Sequence, residues 1–332
     1  MTTNTRAGKG KYRVVGTRPI RHDGVEKVTG KALYGADMNL PGMLYGMVLR
    51  SPHPHARIKS IDVSKAEAHP DVKAIATSAD FVSVPLTARQ SVVGKPTSAN
   101  ILARGKVLYK GHPVAAIAAV NSHVAEEALS LIEVEYEKLP AVTNVKDAMS
   151  PNAPILHDHW TENDDKNCVS GTNIASHVQN VFGNIDKGFE ESELVLEREF
   201  STKTVHQGYI EPQNAIAWWP PGDRLTIWTS SQGQFGIRDG TASILGVPIS
   251  RIKVVPMEIG GGFGGKLQVY LQPVAAILSK KSGRPVKMSM SRAETLEATG
   301  PASGTYIRIK MGVTNEGRIT AAQAYCAFEA GA

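Results

Sequence analysis

Five glycines surround one aromatic side chain in Ile259-Gly-Gly-Gly-Phe-Gly-Gly-Lys266. Residues without a Cβ let backbone N–H groups come close to a bound anion, so the chemistry this spacing suggests is cofactor or oxyanion binding. Read as Gly260-x-Gly262-x-x-Gly265 the run matches the dinucleotide fingerprint, which also needs an acid about 20 residues further on. Lys266 to Ser291 contains no Asp or Glu. Read as Gly260-x-x-x-x-Gly265-Lys266 it nearly matches the nucleoside-triphosphate loop, but Leu267 stands where Ser or Thr would hold magnesium. A ligand-free tight turn is the bland alternative, at the entropic cost of glycines this dense.

The loop needs elements to hold it. Arg251 to Ile259 is rich in branched apolar residues and short enough for a strand. Leu267 to Ser282 carries apolar residues at helical spacing and is stopped by Gly283, with Pro273 kinking or delaying it. A strand, glycine loop and helix in that order would put an oxyanion at the positive helix N-terminus. Asn214–Trp219 and Leu225–Ser230 flank Pro220-Pro-Gly-Asp223 as a hairpin, and Tyr306–Thr314 and Ile319–Phe328 flank Asn315-Glu-Gly317 as another. Upstream, strands are expected at Leu44–Leu49, Val72–Thr77, Pro113–Ala119 and Ile132–Tyr136, with a helix opened by Asn121 or Ser122. These divide the chain into a basic arm at 1–22, a mixed α and β body at 23–145, a breaker-rich linker at 146–172 and a second body at 173–332. Ala327 to Ala332 offers no cap or closing helix, so the second body reads as incomplete at its C-terminus.

A chain of 332 residues suits about two domains, and shares of 42% hydrophobic and 20% charged residues suit a globular protein. The net charge of +6 gathers partly at Arg6, Lys9, Lys11, Arg13, Arg18 and Arg21, without the basic stripe or recognised module that nucleic-acid binding needs. Cys168 and Cys326 belong to no paired motif, so this chain is not expected to ligate zinc or iron–sulfur clusters, and both read as reduced packing residues. No apolar run or twin-arginine pair opens the chain, and none is long enough to span a bilayer, so a cytoplasmic location is expected.

The glycine run after its strand resembles the cofactor loop of the molybdenum hydroxylases, the family of xanthine dehydrogenase, aldehyde oxidase and the carbon monoxide dehydrogenase large subunit. Thr229-Ser-Ser-Gln-Gly-Gln234, Leu245-Gly-Val-Pro-Ile-Ser-Arg-Ile-Lys-Val254 and His206-Gln-Gly-Tyr-Ile-Glu-Pro212 are similar to segments of the same family, in the same order. So are Asp23 to Gly35, Arg50-Ser-Pro-His-Pro-His-Ala56 and Tyr109-Lys-Gly-His-Pro-Val-Ala115, so the likeness runs from about Gly16 to the end. It implies an α+β chain, with a small α/β hammerhead-like domain followed by a first molybdopterin-binding domain, apparently truncated.

The resemblance also implies roles. Gln232, Gly261, Gly262, Phe263, Gly264 and Gly265 would contact a molybdopterin cofactor, in its plain or its cytosine dinucleotide form. Gln232, through its amide, and Phe263, through a backbone N–H and its ring, would approach the molybdenum without being direct side-chain ligands. Leu267 would line the substrate pocket, where the purine-oxidising members place a glutamate. An apolar residue there argues against xanthine and leaves aldehydes, N-heteroaromatics and carbon monoxide open. The general-base glutamate would lie beyond Ala332, so this chain alone would be inactive. Oxygen would come from water, and electrons would leave through iron–sulfur clusters and FAD on partner subunits of a hetero-oligomer. The alternative is a non-catalytic binding or assembly protein that keeps the fold.

Other chemistry-bearing residues take plainer readings. His157-Asp-His159 reads as surface, and His53 and His55 as packing between prolines. His206 and Glu211 are read as holding the loop rather than as an acid–base pair. Lys266 would meet an anion or shield the helix start with its stem.

Overall fold

The computed structural model describes residues 13–81, 98–157 and 169–330. The chain divides into a short unit, Met1–Leu33, and a large one, Tyr34–Ala332. The short unit carries one helical turn and a half, Gly24–Val28.

The large unit is α+β. Its strands are β1 (Leu44–Arg50), β2 (Ala56–Asp62), β3 (Val72–Thr77), β4 (Lys106–Val107), β5 (Pro113–Ala119), β6 (Glu133–Lys138) and β7 (Leu194–Thr202) in the first part. They continue with β8 (Asn214–Trp218), β9 (Leu225–Thr229), β10 (Ile252–Pro256), β11 (Val286–Ser289), β12 (Thr305–Val313) and β13 (Ile319–Phe328). Among the described residues these form three sheets, ordered β10-β9-β8-β11-β1-β5-β3, β13-β12-β7 and β4-β2-β6. The largest draws strands from both bodies expected from the sequence, so those bodies are not two separate sheets.

β5 shows why the large sheet is a two-sided core. Its sequence Pro-Val-Ala-Ala-Ile-Ala-Ala is buried from Val114 to Ala119, as a strand covered on both faces should be. Ala115, Ile117 and Ala119 pack with Ala125 and Ala128 of the helix Ser122–Leu129. Ala116 and Ala118 turn to the opposite cluster, with Ala275 and Leu278 of the helix Gln272–Ser282. The period-two alternation of a strand assigns one set to each helix, and the Asn121 side chain caps the first helix by accepting the Val124 N–H.

Both expected hairpins form, β8–β9 and β12–β13, with Gly222 and Gly317 supplying positive φ in their turns. The sequence reading did not place β2, β4, β7, β11 or the helix Gln234–Leu245. That helix is decisive, because β9 and β10 pair in parallel. It makes β9, helix and β10 a βαβ unit, ended by Gly246 at φ 64. The helix expected from Leu267 begins at Gln272 instead, with Pro273 in its first turn where a missing N–H costs nothing, and it stops at Gly283 as expected.

Cys326 is free but exposed on β13 rather than packed, and Cys168 lies outside the described residues. His157 is half-buried, and His159 is outside the described residues. Among the described residues no three His, Cys, Asp or Glu side chains group as a metal site, and no helix is long and apolar enough to cross a membrane.

Candidate cofactor-loop site

Strand direction decides which residues meet. β9 and β10 run parallel and adjacent, so the segments just past their carboxyl ends share one edge of the sheet. Gln232 comes three residues after β9 and the glycine loop four residues after β10. β8 runs antiparallel to β9, so the segment preceding it, Tyr209 to Gln213, returns to the same edge. β11 is antiparallel to β8 with Ser289 opposite Asn214, which brings Arg292 there too.

The Gln232 side chain faces the loop. Its Oε1 accepts the N–H of Gly264 at 2.9 Å and of Lys266 at 3.2 Å, and its own backbone N–H donates to the Lys266 carbonyl at 3.0 Å. The loop closes on itself through Gly265 N–H to the Gly262 carbonyl at 2.7 Å. A Cβ on Gly262 would sit 2.5 Å from Gln232 Oε1, so the close approach depends on that glycine. A Cβ on Gly265 would sit 2.6 Å from the Tyr209 ring. Gly261 and Gly264 have φ of 92 and 89, and Phe263, at φ 51, is the one non-glycine residue with positive φ among those described.

Phe263 is 74% exposed, and Leu267 is half exposed beside Gly233, where an added Cβ would lie 3.7 Å from Leu267 Cδ2. A Cβ on Gly264 would meet nothing within 4 Å, so the loop's open side lies there. The N–H groups of Gly261, Gly262 and Phe263 have no hydrogen-bond partner among the described residues, and neither has the Gln232 amide nitrogen. Three successive free N–H groups and an outward carboxamide donor form a cradle for oxygen ligands or another anion. These residues fit the oxygen-rich cofactor that the sequence suggests. The donors come from the loop itself and not from a helix N-terminus, since the next helix starts only at Gln272.

Beneath the loop lies a group that the sequence reading did not pair. Lys266 is not turned to an outside anion, nor does it cover a helix start. Its side chain is 0% exposed, and Nζ lies 2.6 Å from Glu211 Oε2 and 5.0 Å from the Tyr209 ring centroid. The same Oε2 accepts the Gly260 N–H at 2.7 Å, while Oε1 accepts the Ser230 hydroxyl at 2.6 Å and the Asn214 amide at 3.1 Å. Burial pushes the Lys266 ammonium below its usual range, and the Glu211 carboxylate opposes that shift. The only sequence signal for this pair was the two opposite charges in apolar surroundings, too little to match partners 55 residues apart.

Glu211 therefore holds the loop, and His206 is not its partner. His206 Nε2 donates to Thr299 Oγ1 at 2.8 Å, and Nδ1 accepts the Gly208 N–H at 2.9 Å, which describes the neutral Nε2–H tautomer. Burial and the Arg292 guanidinium keep its pKa below the usual histidine value. Thr299 Oγ1 also meets the Tyr209 hydroxyl at 3.2 Å, and Gln213 links that hydroxyl to the Gly265 carbonyl at 3.1 and 2.8 Å. Arg292 fastens the chain before Glu211 by donating to the carbonyls of Tyr209 and Ile210. His53 and His55 pack as expected: His53 meets the Tyr136 ring edge-on, and His55 Nδ1 donates to the Pro140 carbonyl at 2.6 Å.

Comparison with known proteins agrees with this geometry. Residues 167–332 match the family model for the molybdopterin cofactor-binding domain, and residues 29–140 match that for the aldehyde oxidase and xanthine dehydrogenase a/b hammerhead domain. The chain is 32% identical over 312 residues to the nicotinate dehydrogenase large molybdopterin subunit of Eubacterium barkeri, covering 94% of this chain and 69% of that one. It is 33% identical to the carbon monoxide dehydrogenase large chain of Afipia carboxidovorans, covering 97% and 40%. Quinoline 2-oxidoreductase from Pseudomonas putida 86 superposes with a TM-score of 0.81 at 30% identity, covering 94% of this chain and 39% of that one. The chain thus spans well under half the length of several of the proteins it matches. It belongs to the molybdenum hydroxylase family that includes xanthine dehydrogenases, aldehyde oxidases and the carbon monoxide dehydrogenase large chain.

Proposed function

We propose that this chain is the part of a molybdenum hydroxylase that cradles the molybdopterin, with Gly261 to Gly265 and Gln232 as the contacts. The observation carrying this reading is the convergence of three free N–H groups, at Gly261, Gly262 and Phe263, with the Gln232 carboxamide at the carboxyl ends of β9 and β10. When bound, the cofactor would supply two-electron oxidation of a carbon centre with water as the oxygen source. The chain's own residues would do the binding and orienting. Gln232 would present a donor, the loop N–H groups would hold oxygen atoms, and Phe263 would wall the site against water.

The substrate is read as an aldehyde, an N-heteroaromatic or a carbon monoxide-type molecule, with a ring such as those for which the nicotinate and quinoline relatives are named as the favoured class. Leu267 supports this, because a half-exposed apolar side chain beside Gly233 offers no hydrogen bond to a purine's polar edge. Iron–sulfur and FAD-binding partner subunits in a cytoplasmic hetero-oligomer would take the electrons. In this reading 23–145 acts as the hammerhead-like domain and 173–332 as the first cofactor domain. The test is the molybdenum-to-polypeptide ratio, by elemental mass spectrometry, of the complex purified from its native source. A ratio near one is expected, and a ratio near zero overturns the reading.

A further inference from the structure

The loop has two ends, and one carboxylate oxygen takes both. Glu211 Oε2 accepts the Gly260 N–H at 2.7 Å and the Lys266 ammonium at 2.6 Å, closing residues 260–266 into a ring around a buried ion pair. Lys266 is also the residue whose backbone grips Gln232. Its N–H donates to Gln232 Oε1, and its carbonyl accepts the Gln232 N–H at 3.0 Å and the Ser231 hydroxyl at 3.1 Å. The side chain of Lys266 therefore faces Glu211 while its backbone faces Gln232.

We propose that the Glu211–Lys266 pair is a positioning device for the Gln232 carboxamide, which it keeps turned with oxygen inward and N–H donors outward. The proposal rests on reading this loop as the cofactor loop. A flipped carboxamide would set its NH2 against the N–H groups of Gly264 and Lys266. Two donor–donor contacts would replace two hydrogen bonds, so the carboxamide prefers the orientation that accepts both N–H groups. That preference operates only while the Lys266 backbone stays in place. Gly264 cannot hold the place itself, since it has no side chain and its φ is 89. The Gln213 amide holds the Gly265 carbonyl of the same peptide unit at 2.8 Å, and the anchor supplied by Lys266 itself is its ammonium, drawn to Glu211 on the far side.

Two readouts on the native complex test this, using Lys266→Met, Gln232→Ala and the double variant. In the first, amide hydrogen exchange is followed on the peptide spanning 259–267, with or without bound metal. Loss of the Gln232 acceptor should expose the Gly264 amide, so Lys266→Met and Gln232→Ala should each lower protection about tenfold or more, with no further loss in the double variant. In the second, the molybdenum electron paramagnetic resonance spectrum of the partly reduced complex should shift in Lys266→Met to match that of Gln232→Ala. A wild-type spectrum and unchanged protection in Lys266→Met, or additive effects in the double variant, overturn the positioning role. If Lys266→Met does not accumulate, Glu211→Gln, which keeps an acceptor for Gly260, replaces it with the same expectations. Wild-type complex without molybdenum would defeat the cofactor reading, whereas loaded complex with additive effects would defeat only this inference.

Discussion

The buried ion pair makes an asymmetric prediction. Glu211→Gln and Lys266→Met each remove one charge, yet they leave different remainders. After Lys266→Met the Glu211 carboxylate keeps three donors, from Gly260, Ser230 and Asn214. After Glu211→Gln the Lys266 ammonium keeps a neutral carboxamide oxygen and the face of the Tyr209 ring. Breaking a buried pair costs roughly 3–5 kcal/mol, so Lys266→Met should fall near 3 and Glu211→Gln near 5. The double variant Glu211→Gln/Lys266→Met should cost clearly less than the sum, because no buried charge remains. Urea denaturation at pH 7 measures all three. The pH dependence separates them further. A lone Lys266 ammonium has its folded pKa depressed by burial, so the unfolded chain holds more protons between that value and about 10.5. The Glu211→Gln deficit should therefore shrink as pH rises through that window, and the Lys266→Met deficit should not. Equal costs for the two single variants, or strict additivity, would refute this account of the site's electrostatics.

Two further perturbations test the same geometry. Gly262→Ala places a Cβ 2.5 Å from Gln232 Oε1 and must displace that carboxamide, whereas Gly264→Ala meets no atom and incurs only the strain of φ 89, about 1–2 kcal/mol. Gly262→Ala should thus alter the molybdenum spectrum and lower the exchange protection of the Gly264 amide, while Gly264→Ala should leave the Gln232 carboxamide in place; a wild-type spectrum and wild-type protection in Gly262→Ala would sink the argument. Away from the loop, burial holds the His112 imidazole down to about 4, with Nδ1 accepting the Leu108 N–H and Nε2 donating to the Ala99 carbonyl. Its folded pKa lies below the unfolded value near 6.5, so stability should fall as pH drops from about 6.5 to about 4, by around 3 kcal/mol. His112→Asn should flatten that slope in thermal melts between pH 7 and 4, and an unchanged slope would refute the assignment.

The parts legible in the sequence share one property: their cause is local. Period-two alternation and turn glycines carried β5, the β8–β9 hairpin and the β12–β13 hairpin, and Asn121 marked its helix start because a capping side chain acts within three residues. The glycine loop was legible because glycine is the residue that tolerates φ near 90 and a Gln232 oxygen at its Cα. Pro273 signals a kink or delay in a helix from Leu267 but does not mark where the helix opens, since Leu267 to Leu271 keep helical spacing without being helical. β7 was missed because its residues are exposed on both faces, which leaves no alternation to read.

What the sequence alone determined about this protein is the family and, through that resemblance, the α+β class, together with the place of the glycine loop, which short-range patterns mark. Tertiary structure alone decided that β9 and β10 run in parallel, and hence that Gln232 meets Gly264. It alone merged the two expected bodies in one seven-stranded sheet and sent Lys266 inward to Glu211 rather than outward to an anion. Each of those outcomes depends on strands and charges far apart in the chain. Which distant partner a buried charge finds is a matter of which edges the sheet brings together, and composition and spacing carry no record of that.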